Sequence, residues 1–401
     1  MRILVINPTI LRFDQLGACE QDRLINLSEL SRLGHTVLLL TQSSRHRTAA
    51  EHREYYAQAN MPAQIVPYRN QRFHPARARD LAFLDGAAWE YAMPRWREAV
   101  DEVLRTWRPD VVWCHASYLW PSAARARRAG IPTVIRSVNY ESIHLLQQDG
   151  YSVANWLRFI GKELGERRTL RYASVLAAIT PDETRLYERR SPHAAVYTLP
   201  LRALPALLRP PHPTTARRPL HAFMMGASYN VPHNRTALEF VVKQVAPLVR
   251  ERAPGSFVFH ILGSKAPAAL QAYAAPDLIF EGYVEDLEGF LTGMDIALAP
   301  SLSGQGMQQK VFEPLCRGIP TVAHRRALAG YPFQDGLDVL LADDAAGFTA
   351  QLVRLEDAGL RRMLAAGASE RAASLFSEAA LDQQVGAILE QTARSKASAR
   401  L

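Results

Sequence analysis

The sequence predicts an α/β protein made of two doubly wound domains, and three observations point to it. Short apolar runs alternate with stretches of helical periodicity from one end of the chain to the other. A proline-dense segment breaks that alternation between residues 200 and 219, carrying Pro200, Pro205, Pro210, Pro211, Pro213 and Pro219. Beyond it the same alternation restarts. The chain has 401 residues, a length that suits two domains each able to bury a core, and its 48% hydrophobic and 21% charged content is that of a globular protein.

The elements follow in order. Arg2 to Asn7 is a short apolar strand, and a loop containing Gly17 leads into a helix from about Glu20 to Leu33, with Leu24, Leu27, Leu30 and Leu33 on one face. Gly34 and His35 end it, and Thr36 to Thr41 is a second buried strand. This βαβ spacing implies a parallel sheet. Residues 61–67 hold a weaker strand, and residues 93–106 a helix. Pro109 to His115 is a strand followed by an Ala- and Arg-rich helix. Thr133 to Ser137, Ser174 to Ile179 and Ala195 to Leu199 are the remaining strands of this half, with a basic helix over 157–172. After the prolines, strands are read at 220–225, 256–262, 278–281, 295–299, 321–324 and 339–342. Helices fall at 236–251, 286–293 and 307–317, and the tail from about Ala346 is helical. Pro314 lies inside the third of these helices, where it removes a hydrogen bond. The domain organisation read from this is residues 1–205, a linker at 206–219, a second domain at 220–375, and a C-terminal helix over 376–401 predicted to pack back toward the first domain. A ligand is expected at the carboxyl ends of the strands, in a crevice between the two sheets.

The formal net charge is +8, mostly from arginine. Such a surface favours anions: nucleotide phosphates, an anionic membrane or nucleic acid. Nucleic acid is disfavoured, because the sequence shows no zinc spacing, aromatic RNA-binding motif or separate basic tail. Cys19, Cys114 and Cys316 make an odd, widely spaced set, suited to a reduced cytoplasm and read as packing residues. No apolar run reaches the roughly 20 residues of a membrane span. The expected location is cytoplasmic, with a peripheral position on the inner face of the membrane as the extension of that reading.

The densest signal runs from Pro300 to Pro320. An apolar run, Met294 to Ala299, precedes two glycines, Gly304 and Gly306, and a segment of helical spacing. A Gly-rich turn between a buried strand and a helix directs unpaired backbone N–H groups outward at the positive end of the helix dipole, which is the geometry that holds a phosphate. Lys310 adds a charge one turn in. Glu313 follows three residues later on the same face. A carboxylate beside a phosphate site repels the ligand unless it grips something neutral, and the hydroxyls of a ribose fit. The segment therefore reads as a grip for a nucleoside diphosphate. The alternative for Glu313 is a solvated helix acid, for the glycines a plain turn, and for Lys310 an ordinary surface lysine.

Further segments carry a family resemblance. Arg108 to His115, Gly130 to Val134, Arg136 to Glu141 and Tyr172 to Thr180 come in order in the first half. Phe223 to Asn234, Ile261 to Gly263, Glu281 to Asp286 and Gln305 to Pro320 follow in the second. Across nearly its whole length the chain resembles a retaining glycosyltransferase of the GT-B fold, family 4, of the bacterial polysaccharide and lipopolysaccharide type. The resemblance implies two Rossmann-like domains facing across a central cleft, the first binding acceptor and the second nucleotide sugar. Gln305 stands where the family usually has a glutamate, eight residues before the ribose-binding Glu313. Ala227 and His233 fall near the family's phosphate-holding Arg and Lys, and Val138 replaces a frequent active-site histidine, with Asn139 beside it.

On that resemblance the catalytic set is Gln305, Lys310 and Glu313. The donor side adds Gly226, Asn230, Asn234 and Arg235 from the first loop of the second domain. It also takes Gly263, Tyr283 and Val284, then Gly304, Gly306, Met307 and Gln308. The acceptor side comprises Gly17, His115, Asn139 and Glu141. Core roles remain open for His115 and Tyr283, and a packing role for Gly226. The basic clusters Arg125 to Arg128 and Arg167, Arg168 and Arg171 are read first as solvated helix faces, and second as a membrane-facing surface.

The implied activity is that of a hexosyltransferase moving sugar from a nucleoside-diphosphate donor to a saccharide or lipid-linked acceptor, in the synthesis of cell-surface polysaccharide or glycoconjugate. Retention of configuration is implied by the resemblance alone. The sequence has no Asp-x-Asp motif; neither a metal nor a cofactor is expected, the nucleotide sugar being the donor substrate. The alternatives are a catalytically inactive partner in a synthase complex and a nucleotide-sugar epimerase.

Overall fold

The computed structural model describes residues 1–8, 18–43, 48–67, 80–84, 86–191, 193–303 and 306–398. The chain divides into two compact units. Residues 1–203 and 381–401 make up the first, and residues 204–380 the second.

The first unit is built on a seven-stranded sheet. Its strands are β1 (Arg2–Ile6), β2 (Thr36–Gln42), β3 (Ala63–Val66), β4 (Val111–Cys114), β5 (Thr133–Ser137), β6 (Val175–Ala178) and β7 (Ala195–Thr198), in the order β3-β2-β1-β4-β5-β6-β7. All neighbours pair in parallel, Ile3 opposite both Val37 and Val111. A parallel sheet is covered on both faces, so its strands are apolar throughout rather than alternating. β4, VVWC, and β6, VLAA, are buried at every position.

The second unit repeats the plan with six parallel strands. These are β8 (Leu220–Ser228), β9 (Phe257–Ser264), β10 (Leu278–Gly282), β11 (Ile296–Ala299), β12 (Thr321–Ala323) and β13 (Leu340–Leu341), ordered β10-β9-β8-β11-β12-β13. In each sheet the winding direction reverses beside its first strand, between β1 and β4 and between β8 and β11. These are the topological switch points, where helices diverge and leave a crevice at the strand ends.

Several details differ from the sequence reading. The expected helix 236–251 is interrupted by a π-helical turn over Val241–Val245, just ahead of Pro247. Helices at Ala49–Gln58, Glu141–Asp149 and Pro181–Arg190 went unread, being short and rich in polar residues. The proline-rich stretch is tied to the second unit. Arg209 N–H donates to Cys316 O at 2.9 Å, His212 N–H to Gly318 O at 3.1 Å, and Thr215 Oγ1 to Asp295 at 2.6 Å. The C-terminal helix Glu378–Ser398 inserts Val385, Ile388 and Leu389 into the core formed by Ile3, Val5, Leu27 and Trp113. Arg32 clamps Asp382 on that helix with two hydrogen bonds of 2.6 and 2.7 Å.

Candidate functional site

In the second unit, the switch point between β8 and β11 gathers the strongest candidates. The loop after β11 leads into an eight-residue helix, Gln309–Cys316, which runs through Pro314. Gln308 occupies its N-cap position without a capping side-chain hydrogen bond. The N–H groups of Gln309 and Lys310 meet no acceptor among the described residues. A helix begins with unpaired N–H donors and a partial positive charge, so this end presents donors awaiting an acceptor. Gly306 sits at φ 77°, the left-handed region that turns the loop sharply into the helix. Ser301 Oγ donates to Gln308 Oε1 at 2.7 Å, bracing the loop internally. Met307 is buried behind it. Gly304 and Gln305 lie outside the described residues.

Lys310 and Asn234 meet here from helices 76 positions apart in sequence. Lys310 Nζ donates to Asn234 Oδ1 at 2.5 Å, while Asn234 Nδ2 donates to Ser228 O at 2.9 Å at the end of β8. Asn234 is buried. Burial pushes the Lys310 ammonium down to about 8, because no carboxylate offsets its desolvation. A cation held by one amide oxygen beside uncapped N–H groups is a site prepared for an anion.

Glu313 lies one turn further along, with its carboxylate directed away from Lys310. Arg317 donates to its Oε1 from Nε at 3.1 Å and from its terminal nitrogen at 2.9 Å, and also reaches Glu288 at 2.5 Å. Glu313 is buried, so the solvated-acid alternative fails. Its Oε2 takes only a 3.5 Å contact from Gln309 and retains acceptor capacity. Arg317 was missed by the sequence reading, although an Arg four residues after a Glu on a predicted helix is a legible signal.

The loop glycines have a packing role. A Cβ on Gly226 would lie 2.9 Å from the Tyr229 ring. One on Gly263, at φ 134°, would lie 1.9 Å from Gly226 O. Tyr229 is fully buried and donates to Leu262 O at 2.8 Å. Both glycines therefore make room for that ring and for the close approach of two strand ends. Asn230 is exposed on the same loop and Arg235 on the helix Pro232–Phe240 that follows it, Arg235 Nε donating to Tyr229 O at 3.3 Å. Tyr283 is 77% exposed, so it is no core residue, and Val284 packs against the Phe223 cluster.

In the first unit, His115 follows β4 at the second switch point and is buried. Its Nε2 lies 2.9 Å from Asn26 Oδ1, and its Nδ1 has no partner among the described residues. Burial and the nearby Arg23 hold its imidazole well below the ordinary value, so it is neutral. Beside it Asp22 receives Arg136 at 3.5 Å and Arg202 at 3.2 Å, and Arg202 also meets Glu29 at 2.7 Å; all four side chains are buried. Burial raises the Asp22 carboxyl, but the two arginines outweigh it and hold it below the ordinary 3.8. An arginine inside a predicted buried strand, Arg136 in β5, was the available clue to this network. Glu141 pairs with Lys162 at 2.9 Å and Asn139 lends its carbonyl to Ser137 Oγ at 2.9 Å. Gly17 lies outside the described residues.

With this geometry in view, comparisons with known proteins are informative. Residues 221–357 match the family of group 1 glycosyl transferases, and residues 26–202 match the glycosyl transferase 4-like domain. No curated protein sequence matches the chain with significance. Among solved structures, the chain is similar to sucrose-phosphate synthase from Thermosynechococcus elongatus at a TM-score of 0.68 and 15% identity, covering 97% of this chain and 98% of that one. It is also similar to Anabaena HepE in complex with UDP, at 0.65 and 14%, covering 97% and 100%. S. aureus TarM, in complex with fondaparinux, alpha-GlcNAc-glycerol and UDP, aligns at 0.60 and 10%, covering 98% and 99%. At such identities the likeness is one of fold, and the fold is the two-domain, Rossmann-like GT-B architecture.

Proposed function

The chain is a glycosyltransferase of two domains, and from that premise we propose that it moves a hexose from a nucleoside-diphosphate sugar to a saccharide or lipid-linked acceptor. The reaction proceeds with retention, without a metal, in the synthesis of a cell-surface polysaccharide or glycoconjugate at an anionic membrane surface. The observation that carries this reading is the uncapped start of the Gln309–Cys316 helix with Lys310 beside it, at the β8/β11 switch point. Supporting it, HepE of similar fold is crystallised with UDP and with UDP-glucose.

In this reading the pyrophosphate rests on the N–H groups of Gln309 and Lys310, and the Lys310 ammonium leaves Asn234 to reach it. Charge that develops on the leaving diphosphate as the glycosidic bond breaks is met by donors fixed before the reaction, so no reorganisation is needed at that moment. Glu313 keeps its free Oε2 for the ribose hydroxyls, while Arg317 holds the carboxylate in place through Oε1. Gln305 addresses the sugar hydroxyls, Gly306, Met307 and Gln308 shape the approach to the helix, and Gly304 is a further donor contact of this reading. Tyr283 and Val284 lie on the side of the base, and Asn230 and Arg235 border the diphosphate. Gln305 in place of an acid supplies a neutral hydrogen-bonding group there. On the acceptor side, His115 follows β4 at the first unit's switch point, and Asn139, Glu141 and Gly17 are the further acceptor contacts of this reading. The leaving phosphate can itself accept the acceptor's proton.

The test is donor turnover with Glu313→Ala and Lys310→Ala, alongside melting curves with a panel of nucleoside diphosphates. A preferred base raises the melting temperature by mass action. Unchanged turnover in both variants would remove the site assignment.

A further inference from the structure

The helix Val153–Tyr172 in the first unit carries an unusual exposed face. Val153, Leu157, Ile160, Arg167 and Arg171 fall along one stripe of a helix about 30 Å long, interrupted at Leu164, which packs against the Trp120 cluster. The first half of that stripe is apolar and open to solvent. Val153 is 81% exposed, Leu157 54% and Ile160 42%, flanked by Trp156 at 47% and Tyr151 at 77%. Single exposed apolar residues are commonplace, but five within ten residues form a patch that requires a partner. The second half is cationic. Arg167 is 72% exposed, and Arg171, Arg127 and Arg128 have no ion-pair partner among the described residues.

These arginines border a recess of about 590 Å³, completed by Arg190 and His193, with no acidic residue in its wall. Three helices, Trp120–Arg128, Val153–Tyr172 and Pro181–Arg190, end at this recess. Their carboxyl ends account for part of the basic charge, each carrying about half a negative charge. Glu163, 3.8 Å from Arg167 and 3.9 Å from Arg190, offsets one more. Five arginines still leave a surplus of about 2.5 positive charges once the three helix ends and Glu163 are counted.

We propose that this stripe is the surface by which the protein docks on an anionic phospholipid bilayer. The residues from Tyr151 to Ile160 enter the headgroup boundary, and the arginine recess receives lipid phosphates. The inference rests on the membrane-surface part of the function proposed above and names the surface. A soluble polyanion has no use for exposed Val153, Leu157 and Ile160, and a neutral apolar partner has no use for the arginines; the interface of an acidic bilayer uses both. Topology adds a consequence. The helix runs back from the end of β5 toward the start of β6, so its apolar end lies at the edge where the strands finish. Insertion there brings the β1/β4 switch point close to lipid, on the side where a lipid-linked acceptor would arrive.

Co-sedimentation of the full chain tests this, with vesicles of phosphatidylcholine alone and of phosphatidylcholine mixed with phosphatidylglycerol. The wild type is expected to bind the mixed vesicles and to leave the neutral ones. Arg128→Ser, Arg167→Ser and Arg171→Ser combined are expected to weaken binding roughly 100-fold, about fivefold for each arginine near the surface. Val153→Ser, Leu157→Ser and Ile160→Ser combined are expected to abolish it while leaving the melting temperature unchanged, since all three are exposed. Failure of the wild type to bind acidic vesicles overturns the proposal. So does full binding by the apolar variant, above all if heparin displaces it, which would assign the arginines to a soluble polyanion. Donor hydrolysis without vesicles reads the second-unit site independently, so loss of either reading leaves the other measurable.

Discussion

Replacing Lys310 with Met probes the nucleotide site most sharply. In the free protein its ammonium is partly buried, donates only to Asn234, and lies at about 8 instead of the ordinary 10.5. A diphosphate at the uncapped helix end supplies the negative charge that burial withholds and returns the ammonium to its ordinary range. That interval corresponds to about 3 kcal/mol of coupling between proton and ligand, an upper figure because solvent reaches part of the side chain. The sign follows from linkage: the ligand prefers protonated Lys310, and the free protein loses that proton above about pH 8. Affinity for a nucleoside diphosphate is therefore level below about pH 8 and weakens by up to about tenfold per pH unit above it. Lys310→Met is expected to weaken binding ~100-fold near neutral pH and to level the profile. It is also expected to raise the melting temperature of the free protein, because a cation penalised by burial is removed. Titration calorimetry in buffers of different ionisation enthalpy reads affinity and proton uptake together. Wild-type affinity in the variant, or a level wild-type profile through the alkaline range, would refute the reasoning.

Other outcomes follow from the geometry. Arg317→Leu leaves the buried Glu313 carboxylate without its cation and is expected to cost about 3 kcal/mol in urea unfolding. Gly263→Ala forces a Cβ against Gly226 O in a left-handed backbone and is expected to cost more than about 2 kcal/mol. Gly226→Ala meets only the Tyr229 ring and is expected to be partly rescued by Tyr229→Leu, as a double-mutant cycle would show. Asp22→Ala leaves Arg136 without its carboxylate and Arg202 with Glu29 alone in the core of the first unit, at a cost of about 3 kcal/mol. The Asp22 contribution is complete above its ordinary value of 3.8 and is lost as pH falls through its lowered folded value. Glu166 and Glu183 act oppositely, burial raising them to about 7 and about 8 from 4.5. Unfolded they ionise first, so chemical-denaturation stability is expected to fall as pH rises from about 4.5 to 8, and Glu166→Gln with Glu183→Gln to flatten that fall.

Much of the second domain was legible because its evidence is local. MDIALA at 294–299 reads as a buried strand, and the glycines and the helical spacing after it placed a helix start at Met307 and Gln308, two residues ahead of the observed start at Gln309. Less legible was what each side chain does with its polar atoms. Gly226 and Gly263 were read as donor-side residues, and the fold gives each a packing role besides: the Tyr229 ring lies against Gly226, and Gly226 O against Gly263. Glu313 was placed on the correct helix, but its grip by Arg317 depends on rotamers and on Glu288, 29 positions away from Arg317. Short helices such as Pro181–Arg190 escaped because charged residues dominate them and few apolar positions mark a face.

Alternation of apolar runs with helical periods, and the prolines between residues 200 and 219, determined by themselves that this chain forms two parallel α/β units, since those patterns act within a few residues of chain. Tertiary structure alone decided that Lys310 meets Asn234, that Asp22 sits between Arg136 and Arg202, and that Val385, Ile388 and Leu389 are the residues by which the last helix, already expected to pack toward the first domain, enters its core. Each of these joins residues far apart in sequence, 76 positions for Lys310 with Asn234 and 350 for Arg32 with Asp382 on the last helix, where only the folded sheet order brings side chains within reach. Electrostatic and packing energies of that kind act over a few ångströms of space, and a linear sequence carries no record of which distant residues will share it.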